Sequence, residues 1–280
     1  MNMYSPLPQQ EMIVRVQALC RQDPAVRAAL MYGSFALGEA DEHSDIEFVL
    51  FIADEALACL DRRAWLEQVA PTELVFVNEF GITAVIFHNL VRGEFHFDPL
   101  SRLEEIAAAW RGVVWFPSLE AALVVDKDAR LTPWLEPLIG EPLTHGRSLE
   151  EAQMVLNRLL NAFVFGGSVL ARGEWARALE MLGVVQRSLL MMARIAYGTT
   201  VHWHIPSRSL EDDLPAVAYE RYRACTAPLD PAALQNAYRA VWAWANELLP
   251  LVRERVALQV PERLMASISA WVARIGDRDY

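Results

Sequence analysis

Lysine is almost missing from this sequence: among 280 residues with 25 basic side chains, Lys127 is the only one. Phosphate contacts must therefore come from arginine, backbone amides or a bound metal. Cysteine is nearly as scarce, and Cys20, Cys59 and Cys225 stand far apart with no C-x-x-C pair. That spacing fits neither a disulfide framework nor a structural zinc site. There is no G-x-x-x-x-G-K-[ST] loop and no G-x-S-x-G elbow, so P-loop ATPase and serine-hydrolase readings have no motif to stand on. The N-terminus lacks a basic region followed by an apolar run, and no apolar stretch approaches the roughly 20 residues of a membrane span. These absences predict a reducing, cytoplasmic location with no membrane partner.

Positive charge is also short overall, 25 bases against 36 acids, for a net charge of −11. A general nucleic-acid binder needs a basic footprint, so that class is excluded. A nucleotide is not, because carboxylates holding metal ions can receive a triphosphate. Residues 1–145 carry 22 acids and ten bases, whereas the remainder carries 14 and 15. Between Arg27 and Arg62 there is no Lys or Arg, yet Glu39, Asp41, Glu42, Asp45, Glu47, Asp54, Glu55 and Asp61 all fall there. Such an interval reads either as a solvated acidic face or as a cation site.

The periodicity predicts an α+β chain: an N-terminal mixed sheet with flanking helices over residues 1–146, then a helical bundle over 147–280. Apolar residues from Ile13 to Cys20 recur at helical spacing, and Ala28 to Tyr32 forms a strand-like run that stops at a tight Gly33-Ser34 turn. Strands are expected over Asp45–Ile52, Leu74–Asn78, Ile82–Phe87 and Arg92–Phe97, with Gly81 in a hairpin turn. In the last of these Arg92, Glu94 and His96 share one face, and the phenylalanines face the other way. A helix near Leu103–Trp110 and a strand over Ala121–Val125 complete this half. Beyond the Pro- and Gly-punctuated stretch 133–146, Ser148-Leu149-Glu150-Glu151 reads as a capping box opening a helix through Leu170. Further helices are signalled at Glu174–Tyr197, at Ser209-Leu210-Glu211-Asp212, at Asp230-Pro231 and from Pro261 to Gly276. Short connections argue for an antiparallel bundle.

The strongest chemical signal is Gly33-Ser34, ten residues, then Asp45-Ile46-Glu47, then Glu94 on a later strand. Residues two apart in a strand leave the same face, so Asp45 and Glu47 can share divalent cations. Carboxylate-held metal beside a glycine turn suits phosphoryl or nucleotidyl transfer. Gly33 lets the backbone approach phosphates, and Ser34 adds a hydroxyl donor.

A turn, two acids and a third acid in chain order resembles the nucleotidyltransferase superfamily that contains DNA polymerase beta. Met31-Tyr32-Gly33-Ser34-Phe35, Gly38-Glu39, Ser44-Asp45-Ile46-Glu47-Phe48, Asn78-Glu79-Phe80-Gly81 and Asn89 through Phe97 are similar to the lincosamide nucleotidyltransferases. So is Arg172-Gly173-Glu174-Trp175-Ala176-Arg177-Ala178-Leu179-Glu180. The similarity covers most of residues 23–190 and fades after about residue 198.

The resemblance implies a nucleotide-binding sheet domain, a helical domain contributing the acceptor pocket, and a homodimer. It also implies two Mg²⁺ ions, ATP as co-substrate and transfer of AMP to an antibiotic hydroxyl. By motif position, Asp45 and Glu47 become metal ligands, Glu94 the general base, and Gly33 with Ser34 the phosphate-binding turn. Where relatives often carry Arg or Lys, this chain has Leu37, so phosphate charge must be met by metal, backbone amides or another arginine such as Arg92.

Other residues have competing explanations. His96 shares the face of Glu94 and either orients the acceptor or nucleotide or is an ordinary satisfied strand histidine. Trp175, Trp203, Trp242 and Trp244 suit either an aromatic acceptor pocket or helix packing. His202-Trp203-His204 reads as a loop or pocket segment in preference to a metal pair, and Arg172, Glu174 and Arg177 as ion pairs at a helix start or as active-site wall. An aminoglycoside is the alternative acceptor, and a catalytically silent nucleotidyltransferase-like module the alternative class.

Overall fold

The structure is a computed structural model that describes residues 7–275, so the stop expected at Gly276 lies outside the described residues. Two compact units divide the chain, Met1–Leu143 and Thr144–Tyr280.

In the first unit, α1 (Pro8–Gln22) leads into β1 (Val26–Tyr32), the short helix α2 (Gly33–Leu37) and β2 (Ile46–Ile52). Two brief helices, α3 (Asp54–Leu57) and α4 (Arg62–Glu67), precede the hairpin of β3 (Thr72–Val77) and β4 (Thr83–Phe87). β5 (Arg92–Pro99), α5 (Leu103–Ala109), α6 (Leu119–Ala122), β6 (Leu123–Asp126) and α7 (Thr132–Leu135) follow. The hairpin turn is built as its sequence suggests: the Asn78 side chain accepts from the Phe80 and Ile82 amides, and Gly81 takes φ +78°. Two expectations change. Gly33-Ser34 opens a helix of five residues instead of a bare turn, and Ala121–Val125 splits into the end of α6 and the start of β6.

The six strands lie in the order β3-β4-β5-β2-β1-β6. Every neighbouring pair is antiparallel except β2 and β5, which run parallel with Ile46 opposite Gly93 and Glu47 opposite Glu94. Alternation along the strands sorts side chains onto two faces. One face buries Phe48, Leu50, Phe95 and Phe97 against Met12, Val16 and Trp65. The other buries Ala28, Leu30, Val49 and Phe51 under Leu103, Phe116, Leu131 and Leu135. Tyr32, Glu47, Glu94 and His96 continue this second face by the same alternation, at positions only half-buried.

The second unit is helical: α8 (Leu149–Ala171), α9 (Trp175–Tyr197), α10 (Leu210–Asp213), α11 (Ala216–Ala224), α12 (Pro231–Arg255) and α13 (Glu262–Val272). Ser148 Oγ caps α8 by accepting from the Glu151 amide, as read from the sequence. The reciprocal half of the box differs, because the Glu151 carboxylate accepts from the Gly146 amide and the Ser148 hydroxyl. Asp230 caps α12 through the Ala233 amide. Ser209 caps nothing: it takes φ +48°, α10 is a single turn, and the longer α11 starts only after Pro215. By length and composition alone α8 could cross a membrane, against expectation. Half of that stretch is buried within this unit, where Val155, Leu159, Phe163 and Leu170 join the core.

Arg194 organises the irregular segment 199–213. Its guanidinium is fully buried and donates to the carbonyls of Thr199, Pro206 and Arg208 and to Asp213 Oδ2 at 2.7 Å. Asp213 in turn receives His202 Nδ1 at 2.7 Å. Arg194→Leu would take this donor from the Thr199, Pro206 and Arg208 carbonyls and leave Asp213 with His202 in its place, and is expected to cost about 3 kcal/mol or more in denaturant unfolding. Arg187→Leu, which removes one exposed bond to the His204 carbonyl, should cost about 1 kcal/mol or less.

Candidate active site

Backbone pairing builds the site. Tyr32 at the end of β1 lies opposite Glu47 on β2, and Glu47 lies opposite Glu94 on β5. Three polar side chains therefore stand in one row on one face. Asp45 immediately precedes β2, at the end of the acidic 38–45 connection, and that loop is held from several sides. Gln9, itself buried, donates to the Glu42 and Ser44 carbonyls, while Asp41 accepts from the His43 amide and the Ser44 hydroxyl.

Gly33 answers to two constraints at once. Its φ is +74°, a conformation that disfavours side chains. A Cβ there would also sit 1.4 Å from Glu47 Oε2. The Glu47 carboxylate thus occupies the space that the missing side chain leaves, and the Ser34 amide hydrogen-bonds to it.

Crowding of like charge sets the electrostatics. Burial, then the neighbouring Glu94 and Asp45 carboxylates, push the Glu47 carboxyl up to about 7, against the pull of Arg92 and of the Ser34 amide. Arg92, one step along the same face of β5, donates one guanidinium nitrogen to Asp45 Oδ2 and another to Glu94 Oε1. Among the described residues no group of three or more His, Cys, Asp or Glu side chains is arranged to hold a metal ion. Here Arg92 supplies the positive charge between two of the acids. The donor set itself, hard carboxylate oxygens around a shared space with a guanidinium spanning two of them, fits a magnesium-like cation.

The remaining predicted residues fall as follows. His96 lies on the row's face, with Nε2 3.1 Å from the Tyr32 hydroxyl and Nδ1 3.9 Å from Asp98. Burial holds its pKa below the usual range, with Asp98 and Glu94 opposing. Leu37 ends α2 and brings no charge. Trp175 is the first residue of α9 in the second unit, half-buried against that unit's core, while Trp203, Trp242 and Trp244 are core residues. Arg172 and Arg177 pair with Glu174 at 3.8 and 3.2 Å on the surface.

Two groups escaped the sequence reading. Tyr32 was legible only as the residue before Gly33, although it shares the alternation of Ala28 and Leu30. His145 pairs with Glu151 at 3.1 Å and meets His204 edge-on at 4.9 Å, which no spacing in the sequence signals.

Residues 148–271 match the family model described as "Lincosamide nucleotidyltransferase-like, C-terminal domain". No curated protein matches the chain in sequence. Among solved structures, an aminoglycoside 6-adenyltransferase from Bacillus subtilis is similar at 15% identity, covering 97% of this chain and 99% of that one, with a TM-score of 0.44. A nucleotidyltransferase-like protein from Exiguobacterium sibiricum 255-15 is 14% identical over 88% of this chain and 77% of its own, with a TM-score of 0.37. A CCA-adding enzyme in complex with CTP is 11% identical over 95% and 73%, with a TM-score of 0.32.

Gly33→Ala is expected to cost at least about 1 kcal/mol for the positive φ alone, and to weaken Mn²⁺ binding by displacing Glu47, read by thermal melting and by calorimetry. Glu47 also sets a pH dependence. An acid whose folded pKa is raised from 4.5 to about 7 binds more protons folded than unfolded, so stability falls as pH rises through that window. Metal-free protein should therefore lose melting temperature relative to Glu47→Gln between those two pH values, and added Mg²⁺ should restore it.

Proposed function

We propose that this chain, whose residues 148–271 match the lincosamide nucleotidyltransferase-like C-terminal domain, transfers AMP from ATP to a hydroxyl of a lincosamide such as lincomycin or clindamycin, releasing pyrophosphate. The reading is carried by one observation: Glu47 and Glu94 lie level on one sheet face, with Asp45 tied to Glu94 through Arg92, beside a glycine whose absent side chain leaves room for the Glu47 carboxylate. A silent module would have no need to keep Glu94 level with the acidic pair.

In this reading Asp45 and Glu47 hold two Mg²⁺ ions. When bound, magnesium neutralises the triphosphate and activates the attacking and leaving oxygens. Gly33 and Ser34 line the phosphates, the one by leaving room and the other by its hydroxyl. Glu94 accepts the proton of the acceptor hydroxyl as its oxygen bonds to the α-phosphorus, a transfer that a sugar hydroxyl needs because it is a weak nucleophile. Arg92, beside Asp45 and Glu94, would meet phosphate charge, the part that Leu37 cannot take. Residues 1–146 serve as the nucleotide and metal domain. Residues 147–280 supply an acceptor pocket, with Trp175 as a candidate contact, and the dimer contacts, while His96 is the candidate acceptor contact of the first domain. The expected setting is cytoplasmic, as a homodimer, without nucleic acid or membrane.

Incubation with ATP, Mg²⁺ and clindamycin should add one adenylyl group to the drug, read by mass spectrometry, and Asp45→Asn should slow that by at least about 100-fold. An unmodified drug would overturn the lincosamide assignment, and modification of kanamycin in its place would move the acceptor to the aminoglycosides.

A further inference from the structure

One cavity in the second unit is lined in a way the acidity of the chain does not suggest. Its volume is about 310 Å³, and His145, Arg147, Gly198, Thr200 and Arg255 stand around it. Among the described residues no carboxylate lines it. A cavity in the sheet unit also holds two arginines, but there Arg27 pairs with Asp128 and Arg130 with Glu104, and Asp54 and Glu55 complete the wall. Charge in that cavity is already answered from within the protein. In the second unit it is not.

Arg255 ends α12 with its guanidinium held at one nitrogen. Its Nε donates to the Ala196 carbonyl in the last turn of α9 at 2.9 Å. Gly198, at φ +74°, has no side chain where the other two nitrogens lie: a Cβ there would be 3.1 Å from Arg255 Nη1 and 3.5 Å from Nη2. Neither terminal nitrogen has an acceptor among the described residues. A guanidinium fork oriented in this way matches two oxygens of one oxyanion.

Arg147 comes from a wall that packing fixes. Glu151 lies 3.1 Å from His145 Nδ1 and accepts from the Gly146 amide at 3.0 Å, so its carboxylate is committed to this segment. His145 stacks on Trp203 with ring centroids 5.8 Å apart and planes 7° from parallel. A Cβ at Gly146 would stand 2.6 Å from Ile195 Cγ1, so glycine lets the segment lie close against α9. From it Arg147 projects with no partner for its guanidinium among the described residues, and the Thr200 hydroxyl adds a further donor to the cavity.

We propose that this cavity binds a small phosphate-bearing anion, held by the free fork of Arg255, by Arg147 and by the Thr200 hydroxyl. Two guanidinium charges call for a dianionic group, which phosphate offers and a single carboxylate does not. The volume lies at the low end for small-molecule sites and suits inorganic phosphate or pyrophosphate. All of these residues belong to the second unit, and the proposal does not depend on the roles of Asp45, Glu47 or Glu94.

Calorimetry on the full chain, with a metal chelator present and ionic strength held constant, tests it. Pyrophosphate should bind saturably at one equivalent with a Kd below about 1 mM, phosphate more weakly, and acetate not at all. Arg147→Gln and Arg255→Gln should each weaken pyrophosphate binding at least about 10-fold, as expected for the loss of one charge-assisted contact. Arg130→Gln, in the sheet-unit cavity, should leave it unchanged. Arg255→Gln also loses the bond to Ala196, whereas Arg147→Gln breaks no side-chain contact and should melt as the wild type does. Absence of saturable binding, or wild-type affinity in Arg147→Gln, overturns the proposal. So does binding that survives both arginine substitutions but is lost in Asp45→Asn, which would place the anion at the carboxylate row. Acetate binding as tightly as phosphate would overturn the assignment to a phosphate group.

Discussion

Glu47 and Glu94 are held level on adjacent parallel strands by the backbone ladder, so their carboxylates start from neighbouring points on one sheet face. Asp45 joins them from the loop before β2. Three acids so placed repel one another, and partial burial deprives them of the water that would screen the repulsion. The rest of the site can be understood as an answer to that constraint. Arg92 spans two of the acids, the Ser34 amide points at the third, and Gly33 vacates the volume that the Glu47 carboxylate fills. Such a cluster is a standing demand for positive charge, which Arg92 meets at Asp45 and Glu94.

The second unit solves a different problem with the same scarce vocabulary of cations. Its core is apolar helix packing, but segment 199–213 is irregular and its carbonyls need donors. Arg194 supplies them from inside α9, as a planar guanidinium can and a lysine cannot. The chain's one lysine, Lys127, binds the Asp23 carbonyl in the sheet unit, away from the carboxylate row.

Much of the fold was legible because periodicity reports burial. Alternation in β5, the Asn78–Gly81 turn and the caps Ser148 and Asp230 all depend on neighbours a few residues away, and all are found. Ser209 looked like a cap by the same local logic, yet its positive φ removes it from that geometry and the helix moves beyond Pro215. Apolarity at 121–125 suited a strand or a helix equally, and the chain uses both. An apolar helix such as α8 was not distinguished from its neighbours, since hydropathy does not reveal which face is covered.

For the candidate site, the sequence by itself determined the residue types and their local phase: two acids two apart, a glycine able to take positive φ, and a third acid sharing a strand face with Arg92 and His96. Those properties follow from backbone stereochemistry within one segment. Only the tertiary structure decided that β2 and β5 are adjacent and parallel, which sets Glu94 level with Glu47 although they are far apart in the chain. It decided equally that Arg92 reaches Asp45 and that Tyr32 meets His96. Register between strands is set by the summed packing of both sheet faces, and no local pattern carries that sum.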